Sequence, residues 1–199
     1  MLKRRKQRHM IELLHLAMTL GPGKQSPLDL NNNFTGIEIG VEQGSLARMM
    51  VGMFKNCTWH GVDPWTEYGA VEYKSYDMEY AQSRWNQMWS ELHRELRKEI
   101  EERRLVLHRT TSDDGVIIFD NASVDLVVVD GLHTALQTER DIRNYWPKLR
   151  KGGRMCGHDI DNEVTPGVRR AVEACRRPFE VRTGYLWVMD AKEADDAQL

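Results

Sequence analysis

The chain has 199 residues, the size expected of a single domain. Lys plus Arg (28) nearly balance Asp plus Glu (30), so net charge does not indicate a nucleic-acid-binding protein, although five basic residues fall within the first nine. No signal peptide or membrane span is readable, and the three cysteines form no Cys-x-x-Cys pair, which predicts a reduced, cytoplasmic protein that does not bind membranes.

Strands and helices alternate along most of the sequence. We predict a basic segment and helix in 1–30, one domain in 31–190 and a polar tail in 191–199. The predicted strands are 34–40, 58–63, 104–109, 125–130, 154–159, 179–182 and 185–189. The predicted helices, besides one at about 10–20, are 45–55, 134–149 with a glycine C-cap at 152–153, and 164–175. Because 126–129 within the fourth strand is apolar throughout and strands alternate with helices, we expect a doubly wound, mostly parallel α/β sheet with its ligand beyond the carboxyl ends of the strands.

About forty residues separate the second and third strands, more than a crossover needs. Apolar residues recur at helical spacing through much of this insert, 65–103, which predicts an amphipathic helix packed against the sheet. An aromatic stretch precedes that helix just past the second strand, where a lid over the cleft could form. It contains Trp65, Tyr68, Tyr73 and Tyr76.

A glycine turn follows the first strand, with Glu38, Gly40 and Gly44 in the pattern Glu-x-Gly-x-x-x-Gly. The glycine spacing does not match Gly-x-Gly-x-x-Gly, and acids at positions 38 and 42 would repel a pyrophosphate while attracting a cation. Asp63 ends the second strand at close to the roughly 20-residue spacing expected of a ribose-binding acid. The turn therefore predicts a cationic, adenosine-containing ligand.

The turn resembles the first motif of class I S-adenosylmethionine-dependent methyltransferases, and 61–65 (GVDPW) resembles their second. The segments 124–133 (VDLVVVDGLH), 145–153 (YWPKLRKGG) and 157–159 (GHD) resemble the branch that contains macrocin O-methyltransferase-like and cephalosporin-hydroxylase-like proteins. The resemblance implies a seven-stranded sheet of order 3-2-1-4-5-7-6 with an antiparallel last strand, and S-adenosylmethionine as cofactor. It further implies cofactor contacts from Glu38, Gly40, Gly44, Asp63, Trp65, Ser112, Asp113 and Asp130.

Candidate catalytic residues follow the fourth and fifth strands, whose neighbouring loops should meet. Asp130, His133 and His158 are the catalytic candidates. Asp130 and Asp159 could hold a divalent cation such as Mg²⁺, although a histidine at position 158 replaces one of the paired acids of metal-dependent relatives. Alternatively His133 or His158 is a metal-free general base, or these residues are structural. His60 and His108, within strands, are expected to be structural.

The predicted function is methyl transfer to a hydroxyl of a small molecule, perhaps a sugar. The alternatives are a non-catalytic module that binds the methyl donor or serves assembly, and a nucleic-acid methyltransferase. The second is disfavoured because 130–133 lacks the Asn/Asp-Pro-Pro-aromatic element of base amino methylators. The insert and the N-terminal helix are candidates for an interface in a homo-oligomer.

Overall fold

The structure is a computed structural model that describes residues 33–67, 81–182 and 185–191. The predicted N-terminal helix, the tyrosines of the aromatic stretch and the polar tail beyond residue 191 lie outside the described residues.

Seven strands and six α-helices make up the described chain. The strands are β1 (Phe34–Ile39), β2 (Cys57–Asp63), β3 (Leu105–Arg109), β4 (Val124–Val129), β5 (Leu149–Gly157), β6 (Glu180–Arg182) and β7 (Leu186–Asp190). The helices are α1 (Ser45–Met53), α2 (Gln82–Glu95), α3 (Arg97–Glu101), α4 (Ser112–Gly115), α5 (Ala135–Tyr145) and α6 (Gly167–Ala174). Short 3₁₀ turns follow α4 at Val116–Ile118 and α5 at Trp146–Lys148.

The strands form one sheet in the order β3-β2-β1-β4-β5-β7-β6. β1 to β5 pair in parallel, and β7 is antiparallel to both β5 and β6. This order and the antiparallel last strand confirm the predicted fold class. The order reverses between β1 and β4, and a ligand of such a sheet binds at that switch point, outside the carboxyl ends of the strands.

Helices cover both faces of the sheet. On one face, α1 buries Ala47, Met50 and Val51, and Leu96 and Ile100 of the insert pack against the same cluster. On the other face, α5 and α6 bury Ile142 and Val168 among the residues of β1, β4 and β5. Packing on both faces explains why β4 is buried along its whole length.

The predicted end of α5 was wrong. The helix stops at Tyr145 rather than Leu149, because Pro147 lacks the N–H that a continuing α-helix needs, and the chain goes on as a 3₁₀ turn. Consequently the predicted glycine C-cap is absent: Gly152 and Gly153 lie inside β5, which begins at Leu149 and not at Arg154. α6 likewise begins at Gly167, later than predicted.

The insert contains two helices, α2 and α3, in its described part. Trp85, Met88 and Leu92 of α2 form a buried cluster with Val41 and Trp65, and Leu107 of β3 packs against it. The apolar stripe of the insert therefore reaches the sheet, as predicted, at its edge and partly through the glycine turn.

The three cysteines are all buried and unpaired. Burial raises the pKa of each thiol, to about 12 for Cys57. None of the helices in the described part of the chain has the length and apolar character that a membrane span requires.

Candidate active site

The turn between β1 and α1 is held tightly between its neighbouring strands. Gly40 has a φ of 86° and donates its N–H to the carbonyl oxygen of Val62 at 3.0 Å, while a Cβ on Gly40 would collide with the main chain at Asp130. Gly44, at φ 73°, lies so close to Leu92 that a Cβ would approach its Cδ1 to 2.5 Å. Gly40 therefore requires glycine in conformation and in space, and the positive φ of Gly44 also favours glycine.

Glu38 lies at the end of β1 with its side chain buried. Its Oε2 accepts a hydrogen bond from the indole nitrogen of Trp59 at 2.9 Å. Burial, the largest cause, raises the pKa of Glu38 to about 8 together with the negative charges of Asp130 and Asp63, and against the lowering effect of the Trp59 hydrogen bond. A cation brought next to this carboxyl group would favour its ionised form.

The carboxylate of Asp63 binds the glycine turn. Its Oδ2 accepts from the backbone N–H groups of Val41 and Glu42, both at 2.9 Å, and its Oδ1 accepts from the N–H of Trp65 at 2.7 Å. Burial raises the pKa of Asp63, against the lowering effect of these three donors. Since a carboxylate offers about four acceptor positions, these three donors leave one of them over, and ribose binding by Asp63 stays a prediction.

Trp65 has its side chain fully buried in the cluster beneath the turn. Its indole N–H donates to the carbonyl oxygen of Glu42 at 2.9 Å, and its backbone has a φ of 43°. The structure therefore gives Trp65 a supporting role for the turn, and its contact with a cofactor stays a prediction.

Ser112 and Asp113 open α4 after β3 and meet Gln137 of α5. The carboxamide nitrogen of Gln137 lies 3.2 Å from the Ser112 hydroxyl and 3.3 Å from an Asp113 carboxylate oxygen. The same nitrogen lies 3.0 Å from a carboxylate oxygen of Asp141, which is almost fully buried. Our sequence reasoning missed Gln137 and Asp141. The available signal was an acid at position 141 on the buried stripe of α5, beside Ile142.

The loops after β4 and β5 meet, as predicted from their adjacency in the sheet. His133 Nε2 lies 3.3 Å from Asp130 Oδ1 and 3.4 Å from Asp159 Oδ2. His158 Nδ1 lies 3.0 Å from Asp159 Oδ1. The Asp130 side chain is 46% exposed, whereas those of His133, His158 and Asp159 are mostly buried, so the group opens to solvent on the Asp130 side.

The pKa values of Asp159 and His133 depend on the charged groups around them. Burial alone would raise the pKa of Asp159, but His158, His133 and the amide of Asn162 outweigh it and lower that pKa to about 2. Burial opposes protonation of His133, yet the hydrogen bond and charge of Asp130 and the charge of Asp159 raise its pKa overall. Asp159 thus stays ionised, and a proton taken up by His133 is stabilised by the two neighbouring carboxylates.

Three of these side chains could hold a metal ion, and they form the one such group found within the described residues. One ligand atom each from Asp130, His133 and Asp159 lie within 4.8 Å of one another. Two carboxylates and an imidazole suit a softer divalent cation better than Mg²⁺, whose preferred ligands are oxygens. The predicted metal ligands Asp130 and Asp159 therefore share one site, with a histidine nitrogen between them.

Comparison with known proteins agrees with this geometry. The family model described as a methyltransferase domain matches residues 37–160. The chain belongs to this methyltransferase family. The match runs from the second half of β1 to the first residues after β5 and includes the glycine turn and the group around His133. It confirms the predicted class of enzyme, an S-adenosylmethionine-dependent methyltransferase. No protein with a curated description matches the chain.

Solved structures share the fold of this methyltransferase at low sequence identity. CalS11, a calicheamicin methyltransferase, is 16% identical with a TM-score of 0.69, covering 96% of this chain and 81% of its own. A SAM-dependent O-methyltransferase from Thermotoga maritima is 13% identical with a TM-score of 0.59, covering 96% and 67%. A fibrillarin pre-rRNA processing protein from Methanococcus jannaschii is 14% identical with a TM-score of 0.52, covering 91% and 74%. At these identities the fold is shared, and the acceptor has to be inferred from the site.

Proposed function

We propose that this methyltransferase transfers the methyl group of S-adenosylmethionine to a hydroxyl oxygen of a small molecule. The observation that carries the proposal is the position of His133 between Asp130 and Asp159, at 3.3 and 3.4 Å. The main chain of Asp130 in turn packs directly on Gly40 of the glycine turn. This arrangement supports a base on the loop that packs against the donor turn, as transfer to a hydroxyl requires.

The residues of the turn are suited to the donor. The acidic group of Glu38 would attract the cationic methionine end, and the bare backbone at Gly40 and Gly44 would allow a close approach. Asp63 would bind a ribose hydroxyl with its remaining acceptor position, and Ser112 and Asp113 would flank the adenine. Trp65 would act through the turn that it supports, and Asp130 would contact the donor from the facing loop.

His133 would take the acceptor's proton during transfer. The hydroxyl oxygen forms a bond to the methyl carbon as the carbon–sulfur bond breaks, which gives a methyl ether and the neutral thioether of the spent donor. The proton passes to the imidazole, and the negative charges of Asp130 and Asp159 stabilise the resulting imidazolium. His158, bound to Asp159, would hold that carboxylate in place.

A metal-dependent route is the alternative that the site also suggests. Asp130, Asp159 and His133 would hold a divalent cation, which lowers the pKa of a bound hydroxyl. The imidazole among the donors favours the metal-free route, and EDTA-treated protein is therefore expected to retain methyl transfer. Activity lost in EDTA and restored by Mg²⁺ would show instead that the carboxylates serve a metal.

A sugar is the acceptor class that we favour. CalS11 is described as a TDP-rhamnose 3'-O-methyltransferase, and its fold matches nearly the whole of this chain. The exposure of Asp130, 46%, supports an approach of such an acceptor's hydroxyl to His133 from the solvent side. Nucleic acid is not favoured, and the buried, unpaired cysteines accord with a reducing compartment such as the cytoplasm.

The test is transfer of a labelled methyl group to TDP-rhamnose and to a panel of nucleotide sugars. We expect His133→Gln to lower kcat by roughly 100-fold or more while leaving donor affinity within about threefold. His93→Gln, on α2 and outside the loops after β4 and β5, is the matched control and should leave both unchanged. Wild-type protein that binds the donor but methylates no hydroxyl would favour the non-catalytic module, and steeply salt-dependent RNA binding would favour a nucleic-acid acceptor.

A further inference from the structure

Gln137 joins two parts of the molecule that the sheet keeps apart. Ser112 follows β3 and Gln137 follows β4, and the sheet places β2 and β1 between those strands. Their side chains nevertheless approach to 3.2 Å. The contact therefore crosses over the carboxyl ends of β2 and β1, which carry Asp63 and Glu38.

The orientation of the Gln137 carboxamide follows from its neighbours. Two of the three atoms around its nitrogen are carboxylate oxygens, of Asp113 and Asp141, which can only accept when ionised. The NH₂ end must therefore face them, and the carboxamide oxygen is at the other end. Within the described residues that oxygen accepts no hydrogen bond, while the nitrogen has more acceptors than hydrogens.

Asp141 fixes this orientation from below. It is 1% exposed, and it lies beneath the Ser112 and Gln137 side chains that it contacts. Its carboxyl group is hydrogen-bonded by the Ser112 hydroxyl and by Gln137. One acid thus holds a residue after β3 and a residue after β4 in a fixed relation.

The proposed contacts of the donor follow one another along the carboxyl ends of the strands. With the methionine end at Glu38 on β1 and the ribose at Asp63 on β2, the base extends toward the residues that follow β3. There it meets the contact between Ser112 and Gln137. The carboxamide oxygen of Gln137 is a hydrogen-bond acceptor, and the exocyclic amino group of adenine is a donor, so the two could form a hydrogen bond.

We propose that the carboxamide oxygen of Gln137 recognises the N6 amino group of adenine in the methyl donor, and that Asp141 is the positioning residue that keeps this oxygen turned toward the base. The inference rests on the proposed function, since it assumes that the donor binds along these strand ends. It adds a specificity-determining residue on α5 to the turn and the strand-end acids.

The test compares two ligands, S-adenosylhomocysteine and its inosine analogue, by calorimetry. The analogue has a carbonyl oxygen in place of the amino group. This oxygen would face the carboxamide oxygen of Gln137, and neither atom can donate a hydrogen bond. Wild-type protein should prefer the adenine ligand by about tenfold or more. Gln137→Met, which keeps the length of the side chain, should reduce the preference to less than about threefold, whereas Gln87→Met on the surface of α2 should leave it unchanged.

A second pair of variants tests Asp141. Asp141→Ala should lose the preference, and Asp141→Asn should largely restore it because its carboxamide oxygen can still accept from Gln137. A loss of stability alone would weaken the binding of both ligands equally and leave the ratio of their affinities unchanged.

Folded wild-type protein that binds neither ligand would contradict the proposed function itself. A preference absent in the wild type or retained in Gln137→Met would overturn only the assignment of Gln137, and a preference retained in Asp141→Ala would overturn the positioning role.

Discussion

The main-chain carbonyl group of Asp130 lies over Gly40, in the space that any side chain at position 40 would need. This contact joins the loop that carries His133 to the turn where the donor is expected. The Asp130 N–H also donates to the carbonyl oxygen of Ile39 at 2.9 Å, so the two loops are bonded as well as packed. A change at Gly40 should therefore disturb the donor site and the catalytic loop together.

We expect Gly40→Ala to lower the free energy of unfolding by about 2–4 kcal/mol, since the new methyl group collides with backbone and the φ is positive. Donor binding should fall below detection. Gly52→Ala is the control: no atom lies within 4 Å of its Cβ position on α1, and helix propensity predicts a gain of about 0.5–1 kcal/mol. Urea unfolding measures both, and an unperturbed Gly40→Ala protein would show that the loops can separate without cost.

Asp63→Ala should affect the fold as well as the ligand, which differs from an expectation based on ribose binding alone. The substitution removes the acceptor of three backbone N–H groups, at Val41, Glu42 and Trp65. We expect a loss of about 2–4 kcal/mol in stability together with the loss of donor binding. Asp63→Asn retains one acceptor oxygen and should lose less stability while still binding the donor more weakly. Thermal unfolding and calorimetry on both variants separate the two effects, and an Asp63→Ala protein of wild-type stability would contradict the structural role.

Donor affinity should depend on pH through Glu38. Its pKa is raised to about 8 by burial, so at neutral pH the free protein holds a proton that the cationic donor would displace. Affinity should therefore rise with pH up to about 8, by at most about tenfold per pH unit below that value, and then level off. Glu38→Gln should remove this part of the slope, and Glu91→Gln on the surface of α2 should retain it. An identical slope in Glu38→Gln would mean that only the donor's own groups titrate.

The pair His60 and His108 should make stability depend on pH. Their rings are stacked on β2 and β3, with His60 Nδ1 3.0 Å from His108 Nε2. Burial lowers the pKa of His60 to about 4, with the nearby His108 adding to the effect, and burial also lowers the pKa of His108. Because the folded-state pKa is lower than the unfolded value, this stability is complete above about pH 6.5 and is lost as pH falls toward 4.

We expect His60→Gln to remove about 1–2 kcal/mol of the stability difference between pH 7.5 and pH 5, a figure reduced for the partial exposure of the pair. Urea unfolding at the two pH values provides the measurement. His93→Gln on α2 serves as the control and should behave as wild type. If His60→Gln shows the full wild-type difference, other groups control the acid response.

Local sequence signals predicted the features that depend on few residues. The apolar run of β4, the glycines at 40 and 44 and the acid that ends β2 each indicate their own position, and adjacent strands then bring Asp130 and Asp159 together. The end of α5 was missed because Pro147 was given less weight than the glycines beyond it. The contact between Ser112 and Gln137 could not be predicted, because it depends on how α4 and α5 pack across two intervening strands. The burial of Asp141 has the same origin, since a helical acid is normally a surface residue.

The burial of all three cysteines makes thiol chemistry a measure of folding. Cys57 lies on β2, Cys156 on β5 and Cys175 directly after α6, so the three thiols sample both faces of the sheet. Their raised pKa values leave little thiolate to react while the chain is folded. An alkylating reagent in native buffer would therefore label molecules mainly when they open, and the order in which the three sites are modified would map which part of the sheet opens first.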